Sequence, residues 1–483
     1  MSSHKFSLVR VLLALALCLA THGCALRTPP SPVENLDAAL SPETGVPLEW
    51  VARTSNLPVV DNWLGTFDDP VLSALVAEAM ANNLDLHQAI EDVEIARQLV
   101  VVAGAPLKPQ VGGKIGAKRT HDFGDDDRFK HTFSHTIAGL GVTWEMDLWG
   151  KLRANRAAAI ADYEASEFDL VYARQSLAAT VALNWYLVTE ALQLIQLADD
   201  AVNIYSQLFE LSEVRNQSGK SSQLDVVDAR ARLQNAESER EKAKIKYGEL
   251  VRTLEVLLGR YPAAELRGAE KYPPLPPPVS AGLPVTLLER RPDIIAAEYL
   301  VLAAFRKEES ARLALLPDFS LELTAERLGD HLLKILRLSP YWASAEVGAT
   351  IPIYEGGALC AYVRIATAQQ AQAVANYGSV VLNAFREVET LLASESLLAG
   401  ELYYAQRALQ DRTRAVEIAI EQYRAGKRDL LWVGELQAEQ LLVESNVIRL
   451  RNARVSNRIR LHLALGGGFE AVALAAPSSG GSK

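Results

Sequence analysis

Among the residues able to do chemistry, Cys24 stands in the most telling place. It follows Thr21-His22-Gly23, downstream of a positively charged start (Lys5, Arg10) and an apolar run of ten residues, 11–20. That run is too short to span a bilayer and reads as the core of a cleaved secretory signal. A Gly-Cys pair closing such a segment marks residues 1–23 as a bacterial lipoprotein signal, with Thr21 where a Leu is usual. Cys24 then becomes the acylated, palmitate-bearing N-terminus, anchored in lipid without a spanning helix. Ala25 stands next, where an Asp would signal retention at the inner membrane, so the expected destination is the outer membrane.

The remaining reactive residues are sparse. Cys18 leaves with the signal, and Cys360 is left alone as a buried or tolerated small residue with no redox role. The eight histidines are scattered; His121, His131 and His135 lie in or near a loop whose aspartates mark it as polar surface. There is no HExxH, no GxSxG and no Cys/His cluster with metal spacing. No catalytic residue, metal or cofactor is expected, and the chain does not read as an enzyme. The net charge of −10 opposes a nucleic-acid partner. With three methionines in all, a thioether relay for soft metals is not expected.

The elements that carry these residues come from two rhythms. Over 136–148 every second residue is apolar: Ala138, Leu140, Val142, Trp144, Met146 and Leu148 share a face. After Gly150 the period becomes helical, and Leu177, Val181, Asn184, Val188, Ala191, Ile195 and their successors step by four and three. A helix of about 65 residues would be roughly 100 Å long, and its seven-residue seam calls for partner helices. Before the strand, residues 70–103 read as helix with a break at Asn82-Asn83, and 110–120 alternate as the first arm of a hairpin.

The same plan recurs. Pro109 matches Pro317, Gly150 matches Gly357, Gly219 matches Gly426 and Leu258-Gly259 matches Leu465-Gly466, every offset being 207 or 208. The chain thus divides into a Pro-rich segment, 24–69, and a first repeat, 70–259, with a strand hairpin over 109–149 and long helices over 151–215 and 222–258. A Pro-rich linker, 260–291, leads to a second repeat, 292–469, with a hairpin over 317–354 and helices over 357–425 and 429–465; a tail, 470–483, follows. Beyond the signal no apolar run is long enough for a membrane helix, so any crossing must use strands. Their second face carries Lys114, Lys118, Glu145, Asp147, Glu322, Glu326 and Glu346, suited to a wet lumen. Four strands cannot close a transmembrane barrel, which needs about eight, so several chains must share one.

These features resemble the TolC-like outer-membrane efflux family, in particular its lipoprotein branch of the OprM and NodT type. The carriers are Trp144-Glu145-Met146-Asp147-Leu148-Trp149-Gly150-Lys151, Arg290-Arg291-Pro292-Asp293-Ile294, Pro352-Ile353-Tyr354-Glu355-Gly356-Gly357, Tyr423-Arg424-Ala425-Gly426 and Leu465-Gly466-Gly467-Gly468-Phe469. One departure is Ala358-Leu359-Cys360, where the family usually places a basic residue soon after the glycine pair.

The resemblance implies a mainly α fold with a transmembrane β-barrel: a homotrimer whose twelve strands form the barrel, joined to a long α-helical barrel in the periplasm. It implies a passive exit channel for small molecules in a tripartite efflux system, fed by an inner-membrane transporter through a periplasmic adaptor. The family alternatives are exit channels for type I protein secretion or for metal cations. By position after Gly426, Leu431 and Glu435 match the family's apolar and acidic gate rings at the periplasmic tip. Tyr423 and Arg424 match residues that latch the tip, with Asp225 and Asp228 both open as the partner carboxylate.

Overall fold

The computed structural model describes residues 26–40, 45–52, 59, 61–121, 132–329 and 342–469. The signal, Cys18, Cys24, His131 and the tail lie outside the described residues, as do the side chains of Lys118, His121 and His135. In chain order the helices are α1 (Pro32–Ala39), α2 (Pro70–Asn82) and α3 (Leu84–Gly104), then α4 (Lys151–Gln217), α5 (Gln223–Leu257) and α6 (Pro284–Arg290), and finally α7 (Pro292–Leu313), α8 (Ala358–Arg424) and α9 (Leu430–Ala464). The strands are β1 (Gln110–His121), β2 (Thr132–Met146), β3 (Asp318–Gly329) and β4 (Trp342–Thr350).

The duplication is exact in length. Helices α4 and α8 have 67 residues each, and α5 and α9 have 35 each. All four end the same way. Gly219, Gly259, Gly426 and Gly466 take positive φ, and in each case the glycine N–H and the next N–H turn back to carbonyls three and five residues earlier. This is the left-handed helix stop that an L side chain resists. The restarts match too: the Ser222 hydroxyl accepts from the Asp225 N–H, and the Asp429 carboxylate from the Trp432 N–H.

The chain forms two compact units. The first takes residues up to 44, 92–167 and 296–379. Its sheet runs β1-β2-β3-β4, antiparallel throughout. The register aligns Val111, Val142, Leu323 and Ala345 across all four strands. Side chains on this apolar face are open to the surroundings, with Val111, Ile115, Leu140 and Val347 all exposed. Below the strands, Ala154, Ala158, Ala161 and Ala165 line one side of α4 and are buried, their small size letting another backbone come close. Residue 27 is clamped to α7: its N–H donates to the Glu309 carboxylate at 2.6 Å, and its guanidinium pairs with Glu308 at 3.1 Å. Cys360 is exposed on the first turn of α8, so burial is not what keeps it there.

The second unit takes residues 45–91, 168–295 and 380 onward. Its main core joins Trp63, Phe67 and Leu72 to Val181, Trp185 and Tyr186 of α4, Leu254 of α5 and Ile459 of α9. The Pro-rich linker is held by Arg458, which is buried and donates to the carbonyls of Pro276 (2.6 Å) and Pro277 while pairing with Glu395. A buried carboxylate, Glu255, accepts the backbone N–H groups of Ala264, Glu265 and Leu266. At the C-terminal end the Gly468 carbonyl accepts from the N–H groups of Asn62 and Trp63. The Asp61 carboxylate accepts from Gly468 N–H and from Arg290.

Two consequences are measurable. A Cβ at Gly259 would come within 2.5 Å of the Asn82 carbonyl oxygen, whereas one at Gly219 meets nothing within 4 Å. Gly219→Ala should therefore cost about 1 kcal/mol of strain alone, and Gly259→Ala about 3 kcal/mol; thermal unfolding of the solubilised protein reads the difference. His462, stacked on Trp63 at 5.9 Å, is pushed down to about 4 by burial and secondarily by Arg458. The unfolded chain takes up this proton near pH 6.5 and the folded chain only near 4, so stability is full above 6.5 and falls as pH drops through that window. His462→Phe should flatten this part of the profile.

Candidate functional site

The residues singled out by the sequence gather at the strand-to-helix junction, on the polar face of the sheet, and at the turns between paired long helices. At the junction β2 stops at Met146, and Gly150 takes φ +90° to turn the chain into α4. A helix start leaves backbone N–H groups without partners. Asp147 supplies them: its carboxylate accepts from the N–H of Leu152 at 3.1 Å and of Arg153 at 3.0 Å, and pairs with the Arg153 guanidinium at 3.1 Å. This corrects the expectation for Asp147. It lies past the end of β2, its side chain is 8% exposed, and it caps α4 where a lumen-facing strand residue was expected. Lys151 ties the corner together, with Nζ 2.7 Å from Glu145 and 2.6 Å from Asp318. Trp149 donates its indole N–H to the Pro317 carbonyl at 2.7 Å, and Trp144 donates to Leu107 at 3.1 Å. The second junction is built differently, from Gly356 and Gly357 at φ +63° and +87°.

On the sheet, Lys114, Glu322, Glu326 and Glu346 occupy the face opposite the apolar one. The register sets Glu322 directly across from Glu346. Like charges so placed repel, and the arrangement is tolerable where water or counter-ions reach both. Glu326 lies over Gly139, in the cross-strand row that begins at Lys114. Glu145 belongs to this face but is paired with Lys151.

At the turns, the ends of α4 and α8 and the starts of α5 and α9 share a small core of Tyr205, Leu208, Ala229, Tyr423, Leu430 and Val433. Leu431 is 44% exposed, and Glu435, one helical turn on, is exposed on the same side of α9. Tyr423 is buried at 2% exposure, which pushes its phenol up, and the hydroxyl has no hydrogen-bond partner. Arg424 is exposed and has no partner among the described residues. Neither candidate carboxylate meets it within the chain. Asp225 accepts from the Ser222 N–H at 3.0 Å in a capping box, and Asp228 pairs with Arg232 at 2.7 Å.

The residue that does contact Tyr423 is one the sequence reading missed. Arg215 Nη1 donates to the Tyr423 carbonyl at 3.0 Å, with the guanidinium 4.5 Å over the ring. Its signal was a basic residue in the last turn before a helix-ending glycine, a position from which cations reach free carbonyls. Among the described residues no group of acids, histidines or cysteines is arranged to hold a metal, and no helix is long and apolar enough to cross a membrane.

Comparison with known proteins gives one family. The model described as Outer membrane efflux protein matches residues 75–260 and 283–467, taking in most of both repeats. The chain is 29% identical over 487 residues to the pyoverdine export outer membrane protein OpmQ of Pseudomonas aeruginosa, covering 97% of this chain and 98% of that one. It is 28% identical over 411 residues to the cation efflux system protein CusC of Escherichia coli O6:H1, covering 84% and 88%. A solved structure of CusC superposes with a TM-score of 0.76 at 26% identity, over 89% of this chain and 100% of that one. The junction geometry is open to test. Asp147→Ala should cost about 1–2 kcal/mol by stripping the cap from α4, and Asp147→Asn distinctly less; equal losses in thermal unfolding would assign the effect to the charge alone.

Proposed function

Because the chain belongs to the outer membrane efflux protein family, we propose that it is the exit channel of a tripartite efflux system. It works as a passive duct for small molecules, without catalysis. The observation that carries this is the sheet. It has one exposed apolar face, one charged face, and two edge strands, β1 and β4, with no further strand beside them among the described residues. In a bilayer such edges must find partners. Edges of neighbouring copies provide them, and three copies give a twelve-stranded barrel with the carboxylates inward. An inner-membrane transporter and a periplasmic adaptor complete the system.

Lipid anchoring at Cys24 fits the same frame. Leu26, two residues on, is with Arg153 one of the two neighbours that a side chain at Gly150 would meet, at 3.5 Å, and Arg27 is clamped to α7. Leu431 and Glu435 form the gate rings, exposed on α9 where three copies converge. Arg424, without a partner among the described residues of its own chain, reaches a carboxylate of a neighbouring copy, with Asp225 and Asp228 the candidates.

The purified protein should conduct ions across a planar bilayer, with a cation preference that Glu435→Gln lowers and a conductance that Arg424→Ala raises. A protein that inserts and never conducts would end the channel reading. Labelling with palmitate should be lost in Cys24→Ser; persistent label would place the lipid elsewhere.

A further inference from the structure

The duplication supplies an internal control for the charges on α9. Between Glu444 and Glu470 the chain carries five arginines, at 449, 451, 454, 458 and 460, and no acid, in a protein whose net charge is −10. The matching turns of α5 carry lysines that are answered. Lys242 pairs with Glu239 at 2.6 Å, Lys244 with Glu241 at 3.0 Å and Lys246 with Glu249 at 3.3 Å. The repeat offset of 207 sets Arg451 on Lys244 and Arg454 on Tyr247. Ile448 stands in the place of Glu241, so Arg451 has no acid one turn before it. Tyr247 uses its hydroxyl to hold the linker, donating to the Leu266 carbonyl at 3.3 Å and accepting the Gly268 N–H at 3.2 Å. Arg454 holds no such segment: its Nε is buried and has no hydrogen-bond partner. Among the described residues Arg451, Arg454 and Lys271 make neither a hydrogen bond nor an ion pair.

These three cations border one cavity of about 350 Å³, inside the second unit. The linker supplies part of its wall through Tyr272 and Leu275, and the Tyr272 hydroxyl donates to the Tyr186 carbonyl at 3.4 Å, which holds the ring in place. Leu402 of α8 adds a further wall, packed on Val447 and Leu450 of α9. The space is thus formed before anything enters it, and its size is that of a small-molecule pocket. Arg458, one turn beyond Arg454, gives its guanidinium to the carbonyls of Pro276 and Pro277 and to Glu395, so the linker engages this arginine and leaves the other two. The acids whose charge reaches the site do not answer them. Glu190, which acts on the Tyr272 hydroxyl, and Glu444, which acts on Arg451, are both pushed up by burial, and Glu190 is engaged by Asn452 and Arg449. Neither carboxylate lines the cavity. Bare cations beside apolar walls suit a ligand with one anionic end and an apolar body. We propose that this cavity is a binding site for a small amphipathic carboxylate. The two carboxylate oxygens match the fork of a guanidinium, from Arg451 or Arg454. Lys271 adds charge, and the apolar body lies against Tyr272, Leu275 and Leu402. The inference stands whether or not the chain conducts.

The test is calorimetric titration of the purified, detergent-solubilised protein with naphthoate, an aromatic carboxylate, with thermal unfolding and oligomer size checked for each variant. Saturable binding at one site per chain is expected. The uncharged isostere naphthamide should bind roughly tenfold more weakly, because it offers no charge to the arginines. Arg451 and Lys271 are exposed, so their substitution leaves the packing alone. Arg451→Gln should weaken naphthoate binding roughly tenfold, and Lys271→Gln by less. Arg454→Tyr places in α9 the residue that α5 has at the matching position, and should abolish binding. Absence of saturable binding at millimolar naphthoate would overturn the inference. So would equal binding of naphthoate and naphthamide, which would leave an apolar crevice only. Equal binding by wild type and Arg451→Gln, both folded, would overturn it as well. None of these outcomes bears on conductance, so the channel reading stands or falls separately.

Discussion

A membrane interior offers no water to a backbone N–H or C=O, so every such group must find its partner inside the protein. The rest of this chain follows from how that demand is met. Its strands pair with one another through three antiparallel ladders, leaving one row of groups on β1 and one on β4. Those two edges have no further strand beside them among the described residues, which is why the proposed channel calls on neighbouring copies. The helices face the opposite problem. They satisfy their own backbone everywhere but at the ends, and each long one ends at a glycine stop or begins at a side-chain cap.

The motifs that carry the family likeness turn out to be fasteners at these ends. Asp147 and Lys151 close the corner where β2 becomes α4. Arg291 donates to the Ala464 carbonyl at 3.1 Å and pairs with Asp293 and Glu387, pinning the end of α9. Arg290 and the glycines of 466–468 fix the last described residues beside Asp61. What they share is a place where a regular element stops and its unpaired groups need partners, and sequence spacing marks such places well.

Legibility divides along the same line. The two-residue rhythm of β2, the glycine breaks and the 207-residue offset are properties of the chain's own order, so they could be read before any contact was known. Asp147 was misplaced because alternation alone does not say where a strand stops; the cap it makes is a contact with residues five and six positions on. Arg215 escaped notice because its partner is 208 positions away in another helix. The opposition of Glu322 and Glu346 depends on register, which a hairpin with a long loop does not fix from sequence.

The equal lengths of the paired helices carry one more consequence. A residue inserted into an α-helix rotates everything beyond it by about 100° and advances it by about 1.5 Å. In α4 that would turn the tip residues away from those of α8, which has the same 67 residues and the same stop. A change of length that keeps the tips in register adds matched steps, close to whole heptads, to both repeats. An insertion in one repeat alone breaks this match unless a bulge or stutter absorbs it locally.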